Sequence, residues 1–241
     1  MDQAIQTLQE WIDGSDNIVF FGGAGVSTES GIPDFRSVDG LCNQKYDYPP
    51  ETILSHSFFV KHPDIFYQFH REKLVCPDAK PNAAHLKLAE LERSGKLKAV
   101  ITQNIDGLHQ MAGSKEVLEL HGTIHRAYCA GCRKKFPEEF IHYGQGVPRC
   151  DCGGVVRPDV VLYEEGLNQL IMQDSVDYIN RADVLIVGGT SLVVYPAAGL
   201  LQYYYGSKLV LINRDPTPYD AKADLVIHAP IGQVLGQIQV R

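Results

Sequence analysis

The stretch IVFFGGAGVSTESGIPDFR, residues 18–36, decides the fold. Its first four residues are apolar, as in a strand buried on both faces. Residues 22–30 read as a turn followed by a helix start, and strand, glycine turn and helix together are the setting of a phosphate cradle. Gly23, Ala24 and Gly25 would let the main chain approach a pyrophosphate. Ser27 and Thr28 add hydroxyl donors, and a helix N-terminus adds partial positive charge. A tight strand-to-helix turn with no ligand uses the same glycines, so the pattern alone leaves both readings standing. The run continues through Asp34, Phe35 and Arg36. An arginine at this point can pair with a phosphate, and a phenylalanine can cover a reacting sugar and exclude water.

Outward from this stretch, apolar residues set the remaining elements. Ile5, Leu8, Trp11 and Ile12 recur at helical spacing over residues 4–12. Residues 63–74, 82–94 and 168–180 read as helices. Residues 98–102, 117–120, 184–187, 208–212 and 225–227 read as buried strands, and 160–163 as a short strand or extended segment. Residues 37–62, with Pro49 and Pro50, read as a long loop with short helical turns, of the kind that serves as a lid. Strands alternating with helices predict an α/β fold, a Rossmann-like parallel sheet covered on both faces. Residues 123–154 interrupt that rhythm with cysteines, glycines and charges, and read as a small zinc-binding insertion. The expected division is a Rossmann-like domain over 1–122 and 155–241 and a zinc-ribbon module over 123–154, with part of 37–80 packed beside the module.

Bulk properties narrow the function. A chain of 241 residues, 44% apolar and 21% charged, suits one large domain with a modest insertion. A net charge of −7 argues against wholesale binding to nucleic acid or an anionic membrane. No apolar run reaches the roughly 18 residues needed to span a bilayer. The polar, acidic N-terminus does not read as a signal peptide, so the expected location is cytoplasmic. Four of the six cysteines cluster as Cys129-x2-Cys132 and Cys150-x-Cys152, separated by 17 residues. That pattern reads as one structural zinc ion with a closed thiolate shell and no chemistry of its own; the alternative is four unmetallated thiols. Only Asp151 separates the second pair, a tighter turn than C-x-x-C. Cys42 and Cys76 lie outside the module.

Four further segments follow strands, where open α/β sheets place ligands. TQNID carries Gln103, Asn104, Ile105 and Asp106, and LHGTIH carries His121. GGTSLVVYPAAGL carries Gly189, Thr190, Ser191 and Val193, and INRD carries Asn213 and Asp215. Each has a plain alternative: an Asx cap, a structural histidine, a strand-to-helix turn, a polar loop.

Taken in order, GAG-x-S followed by SGIPDFR, then TQNID, LHG, the cysteines, GTS and INRD, resemble the sirtuin family over residues 18–235. The resemblance implies an NAD-dependent protein-lysine deacylase that moves an acyl group from lysine to ADP-ribose and releases nicotinamide. In that reading Gln103 and Asn104 contact the ribose region, and Ile105 and Asp106 hold the nicotinamide amide. His121 is the general base, a role suited to a side chain whose ordinary pKa lies near working pH. Gly189, Thr190 and Ser191 meet ribose and phosphate, and Asn213, with Asp215 beside it, meets the adenosine ribose. In VVRPDVVLYEEGL, Val160 lines the acyl-lysine tunnel, and Val161, Leu162 and Tyr163 belong to an extended edge that pairs with the substrate peptide. Val193 is expected near that peptide. His85 and His109 match as scaffold positions.

Three departures bear on specificity. Leu162 and Tyr163 replace the family's paired aromatics, and Glu164 stands where many relatives have glycine. The Tyr-x-x-Arg pair of deacylases that prefer acidic acyl groups is absent: Tyr67 is followed at that spacing by His70, with Arg71 out of register. No fixed guanidinium awaits a second carboxylate, so a neutral acyl group such as acetyl is expected. The expected partners are acylated-lysine proteins met by a monomer. Two other readings remain at this stage, protein ADP-ribosyl transfer from the same NAD site, and a non-catalytic NAD-sensing or protein-binding zinc module.

Overall fold

The computed structural model describes residues 2–35, 40–43 and 47–241. Helix α1 (Asp2–Asp13) buries Leu8 and Ile12, one turn apart, while Gln6 and Glu10 face water. It leads into strand β1 (Ile18–Gly22), all five residues of which are buried. Three short helices follow: α2 (Pro50–Ile53), α3 (His56–Lys61) and α4 (Pro63–Phe69), the last continuing as a π-helical turn, His70–Leu74. Helix α5 (Ala83–Arg93) starts at a reciprocal cap, in which Asn82 accepts from Ala84 N–H and His85 Nδ1 accepts from Asn82 N–H.

Strand β2 (Leu97–Thr102), α6 (Leu108–Ala112) and β3 (Val117–Glu119) come next, then β4 (Gly122–Cys129), β5 (Lys135–Phe136), α7 (Glu139–His142) and β6 (Val156–Val160). The chain ends through α8 (Gln169–Arg181), β7 (Val184–Gly188), β8 (Leu209–Ile212), β9 (Leu225–Ile227) and α9 (Ile231–Leu235).

Six strands form one parallel sheet in the order β3-β2-β1-β7-β8-β9. Strand direction and order are those of the Rossmann-like sheet expected from the sequence. Alternate residues of each strand enter different cores. Ile18 and Phe20 join Val100, Ile186 and Val210 under α1, α5 and α9. Val19 and Phe21 join Ile101, Leu185 and Val187 under α8 and the 3-10 helix Ala197–Tyr203. Both faces are covered, so the strands carry no polar alternation.

A second sheet, β5-β4-β6, is antiparallel. Its apolar face packs on Phe58, Phe59, Phe66 and Phe69 from α3 and α4 in a third cluster. Strand β6 pairs with β4 and lies in this small sheet, so the division expected at 154/155 runs between two hydrogen-bonded partners.

Two local expectations change. The glycine turn opens two 3-10 turns, Ala24–Val26 and Thr28–Ser30, in place of an α-helix, so the helix-dipole argument loses its helix. Of residues 160–163, only Val160 lies in a strand; Tyr163 makes an isolated bridge to Ser55.

Candidate functional site

The order of the large sheet reverses between β1 and β7, and open α/β sheets have their crevice at such a switch point. A cavity of about 390 Å³ lies there. Two glycine turns meet at its floor. Gly23 N–H donates to Gly188 O (3.3 Å) and Gly25 N–H to Gly189 O (2.8 Å). A Cβ on Gly25 would stand 2.8 Å from Gly189 Cα, and Gly189 itself has φ +58 with Val26 N only 2.3 Å from where its Cβ would be. These glycines are required by contact between one turn and the other. Contact between the turns, and not only the approach of a phosphate, accounts for glycine at these positions.

Segments following β2 and β8 flank those turns. The distance from β2 to β8 is three strand spacings, about 14 Å, which suits an elongated dinucleotide lying across the strand ends. Gly23, Ala24, Gly25, Ser27, Thr28, Asp34 and Phe35 line the cavity, as do Gln103, Asn104, Ile105, Asp106 and His121. Gly189, Thr190, Ser191, Asn213 and Asp215 complete the expected cofactor set. Val160, Val161, Leu162 and Tyr163 line it too, whereas Val193 lies outside the lining and is 46% exposed. Arg36 falls outside the described residues.

Several expected donors are already engaged. Ser27 Oγ donates to Asp106 Oδ2 (2.6 Å) and accepts from Asn104 Nδ2 (3.1 Å). Thr28 Oγ1 donates to Gly25 O (3.0 Å). Asp106 Oδ1 also accepts from Leu108 N–H (3.0 Å), the Asx cap that was the plain reading of TQNID. Gln103 Nε2 reaches Thr190 Oγ1 (3.1 Å) and so links the loops after β2 and β7. Ser27, Asn104 and Asp106 thus form one preorganised network beneath the cavity.

His121 Nδ1 lies 2.9 Å from Gln103 O. A carbonyl only accepts, so Nδ1 carries the proton and Nε2 is left as the basic nitrogen. Burial pushes the His121 pKa below its ordinary value, against the opposing pull of the Gln103 carbonyl. The ring is therefore neutral at pH 7 and able to take a proton. His85 and His109 are buried as a ring pair 4.7 Å apart, and burial lowers them to about 4 and about 3. They belong to the scaffold.

The four Sγ atoms of Cys129, Cys132, Cys150 and Cys152 lie within 4.8 Å of one another. Cys129–Cys152 is 3.4 Å and Cys132–Cys150 is 3.6 Å. A tetrahedral zinc with Zn–S of about 2.3 Å needs sulfur separations of about 3.8 Å, so the tighter C-x-C turn still fits one ion. The Cys132 backbone N–H points at Cys129 Sγ (3.4 Å) and favours its thiolate.

Further charged residues line the cavity. Arg214 lies between Asn213 and Asp215 and pairs with Asp34 (3.6 Å); the INRD run had placed it in view. Glu165 also lines the cavity. It accepts a fork from Arg157 (2.6 and 2.9 Å) and the Leu162 N–H (2.9 Å), which hold its pKa at about 2 despite burial. No spacing rule announces that pair, because strand and loop bring it together.

Comparison with known proteins agrees with this geometry. The family model described as Sir2 family matches residues 23–196. A relative from Clostridium perfringens, named NAD-dependent protein deacetylase, is 59% identical over 242 residues, covering 99% of each chain. A protein of the same name from Clostridium acetobutylicum is 60% identical over 235 residues, covering 96% of each. A solved Sir2 enzyme superposes with a TM-score of 0.90 at 43% identity, covering 98% of this chain and 96% of that one. A Sir2 complex with p53 peptide and NAD+ gives 0.87 at 40% identity, covering 96% and 95%. The family model spans most of the sequence, and both relatives match it over nearly its whole length: this chain belongs to the Sir2 family.

Proposed function

We infer that this protein is an NAD-dependent protein-lysine deacetylase. The observation that carries the reading is the neutral imidazole of His121, held by Gln103 O with its basic Nε2 without a partner among the described residues, on the same cavity as the two glycine turns. NAD supplies the glycosidic bond that releases nicotinamide and the ribose hydroxyl that carries away the acyl group. Ile105 and Asp106 hold the nicotinamide amide, and Ser27 and Asn104 keep the Asp106 carboxylate in place. Gln103 and Asn104 would face the reacting ribose, and Phe35 would cover it. Thr190 and Ser191 would meet ribose and phosphate, and Asn213, with Asp215 beside it, would meet the adenosine ribose. The acyl oxygen of the substrate lysine would bond to the anomeric carbon as nicotinamide leaves; His121 Nε2 would then take the proton of the ribose hydroxyl, whose oxygen would bond to the acyl carbon, and water would complete release of the lysine amine. The apolar stretch Val160–Leu162 borders the acyl-lysine.

A neutral acyl group is favoured. Tyr67 is buried with its hydroxyl donated to Val156 O, and Arg71 donates to Ile141 O and Gly146 O (2.9 and 2.8 Å). Neither lines the cavity. The four cysteines hold one zinc ion that stiffens the antiparallel sheet. The division of labour follows: the parallel sheet binds NAD, and residues 123–154 with the helices of 37–80 form the lesser unit, to which β6 adds a strand. The working form is a monomer in the cytoplasm, acting on acylated-lysine proteins and on neither nucleic acid nor membrane. Among the described residues no helix is long and apolar enough to cross a bilayer.

The test is mass spectrometry of NAD with an acetyl-lysine peptide. Acetyl-ADP-ribose and nicotinamide form with the native protein. His121→Ala keeps its circular-dichroism spectrum and loses about 10²- to 10⁴-fold in rate, the range of a general base. Near-native turnover by that folded variant overturns the role of His121. ADP-ribosylated peptide in place of acetyl-ADP-ribose would move the activity to ADP-ribosyl transfer.

A further inference from the structure

Glu164 occupies a conformation that its side chain disfavours. Its φ is +74, in the left-handed region where glycine is at home. The carboxylate holds it there. Oε2 accepts the Ser57 N–H (2.8 Å) and Oε1 accepts the Ser57 hydroxyl (2.9 Å). Ser57 lies in the first turn of α3, whose other leading donors are also answered: His56 N–H by Tyr163 O (3.0 Å) and Phe58 N–H by Ser55 Oγ (3.3 Å). The segment at the cavity rim is thus fastened to α3 by a main-chain bridge and, one residue later, by a side-chain clasp.

Backbone accounting shows what the clasp orients. Val161 N–H goes to His121 O (2.9 Å), and Leu162 N–H to Glu165 Oε2 (2.9 Å). Leu162 O accepts Glu165 N–H (3.0 Å), and Tyr163 uses both of its groups on Leu54 and His56. The Val161 C=O has no partner among the described residues, and at Glu164 neither the N–H nor the C=O has one. The residue is exposed and lines the cavity.

We propose that the Glu164–Ser57 clasp is a positioning device for the substrate peptide, fixing the one left-handed residue of the rim so that its free main-chain groups meet an extended segment. This rests on the deacetylase reading. The clasp acts on peptide capture and not on the NAD chemistry beneath it. An extended peptide taken by main-chain hydrogen bonds binds best when the receiving groups are already oriented.

Three substitutions separate conformation from clasp. Glu164→Ala keeps the unfavourable backbone and loses the clasp; the peptide KM rises about tenfold, the equivalent of one charged hydrogen bond. Glu164→Gly accepts the backbone but frees it, and the rise is about threefold. Glu164→Gln retains an acceptor for Ser57 N–H and restores a near-native peptide KM. In all three, kcat and the NAD KM stay within twofold. Anisotropy of a fluorescein-labelled acetyl-lysine peptide follows the same order in binding. Variants whose peptide KM and affinity equal those of the native protein overturn the proposal, as does a peptide KM that moves only together with the NAD KM. A native protein that binds the peptide but never releases nicotinamide overturns the deacetylase reading, while the order of binding still decides the clasp. Absence of peptide binding by every form overturns both.

Discussion

Phe20 and Phe21 point to opposite faces of β1, and both are completely buried. Beside the small sheet, Cys132 and Cys152 are exposed in turns, and β5 has two residues, of which Lys135 is also exposed. The six-stranded sheet has helices on both faces and two hydrophobic clusters to itself. The three-stranded sheet has one cluster, on the side of α3 and α4, and at its far end four sulfurs converge. Burial of apolar surface is enough to hold the first region together. The second is thinner, and with four cysteines placed to hold a metal it is expected to depend on one, as small domains without a full core do.

The largest expected effect breaks this comparison at the sulfurs. Structural zinc in small modules contributes on the order of 10 kcal/mol of folding free energy at pH 7. Cys150→Ser, or a strong chelator, therefore unfolds β4–β6 while the parallel sheet persists. Hydrogen exchange read by mass spectrometry reports this as protection lost over 123–160 and retained over β1 and β7. Equal loss in both regions would mean that the two fold as one unit.

The second effect works from the other side. Phe20→Ala removes a fully buried ring that packs 6.1 Å from His109. Such truncations cost about 3–5 kcal/mol. The loss lowers the urea midpoint of the parallel sheet, where Phe20 is packed. Zinc content per folded molecule is unchanged, which a colorimetric zinc assay with a thiol-reactive displacing agent measures. Zinc lost in step with the urea midpoint would place Phe20 in the support of the module.

The same contrast explains what could be read from the sequence. Residues 18–22 are apolar without interruption because both faces of β1 are covered, so the strand, its glycine turn and the switch point are local features of one stretch. The cysteines are legible for a similar reason, since a thiolate shell prescribes residue type and approximate spacing. What escaped is non-local. Glu165 finds Arg157 through the fold, and Ser57 finds Glu164 across 107 residues. The second turn, at Gly189, is what makes Gly25 necessary, and nothing in residues 18–36 reports it. A helix start and two successive 3-10 turns share the same capping residues, so the pattern could not distinguish them.

The smallest effect sharpens the comparison by pH. Each region hides a histidine pair: His85 and His109 beneath the parallel sheet, His70 and His142 beside α4 and α7 with rings 5.4 Å apart. Burial lowers His70 to about 3, helped by the nearby charges of His142 and Arg71, and lowers His142 as well. Their unfolded pKa is about 6.5. Between that value and the folded one, the unfolded chain binds the proton and the native chain does not, so stability falls as pH falls. It is complete above pH 6.5 and declines through the window down to about pH 3–4. The slope is about 1.4 kcal/mol per pH unit for each fully shielded ring. Both regions weaken by this route, but the small sheet has a second proton load, because thiolates that are protonated release their metal. Acid therefore opens residues 123–160 at a higher pH than β1 and β7, and excess zinc narrows the gap. Exchange profiles taken at pH 7, 6 and 5 with and without added zinc measure that gap, and simultaneous opening unaffected by zinc would mean the histidines alone set the acid limit of both sheets.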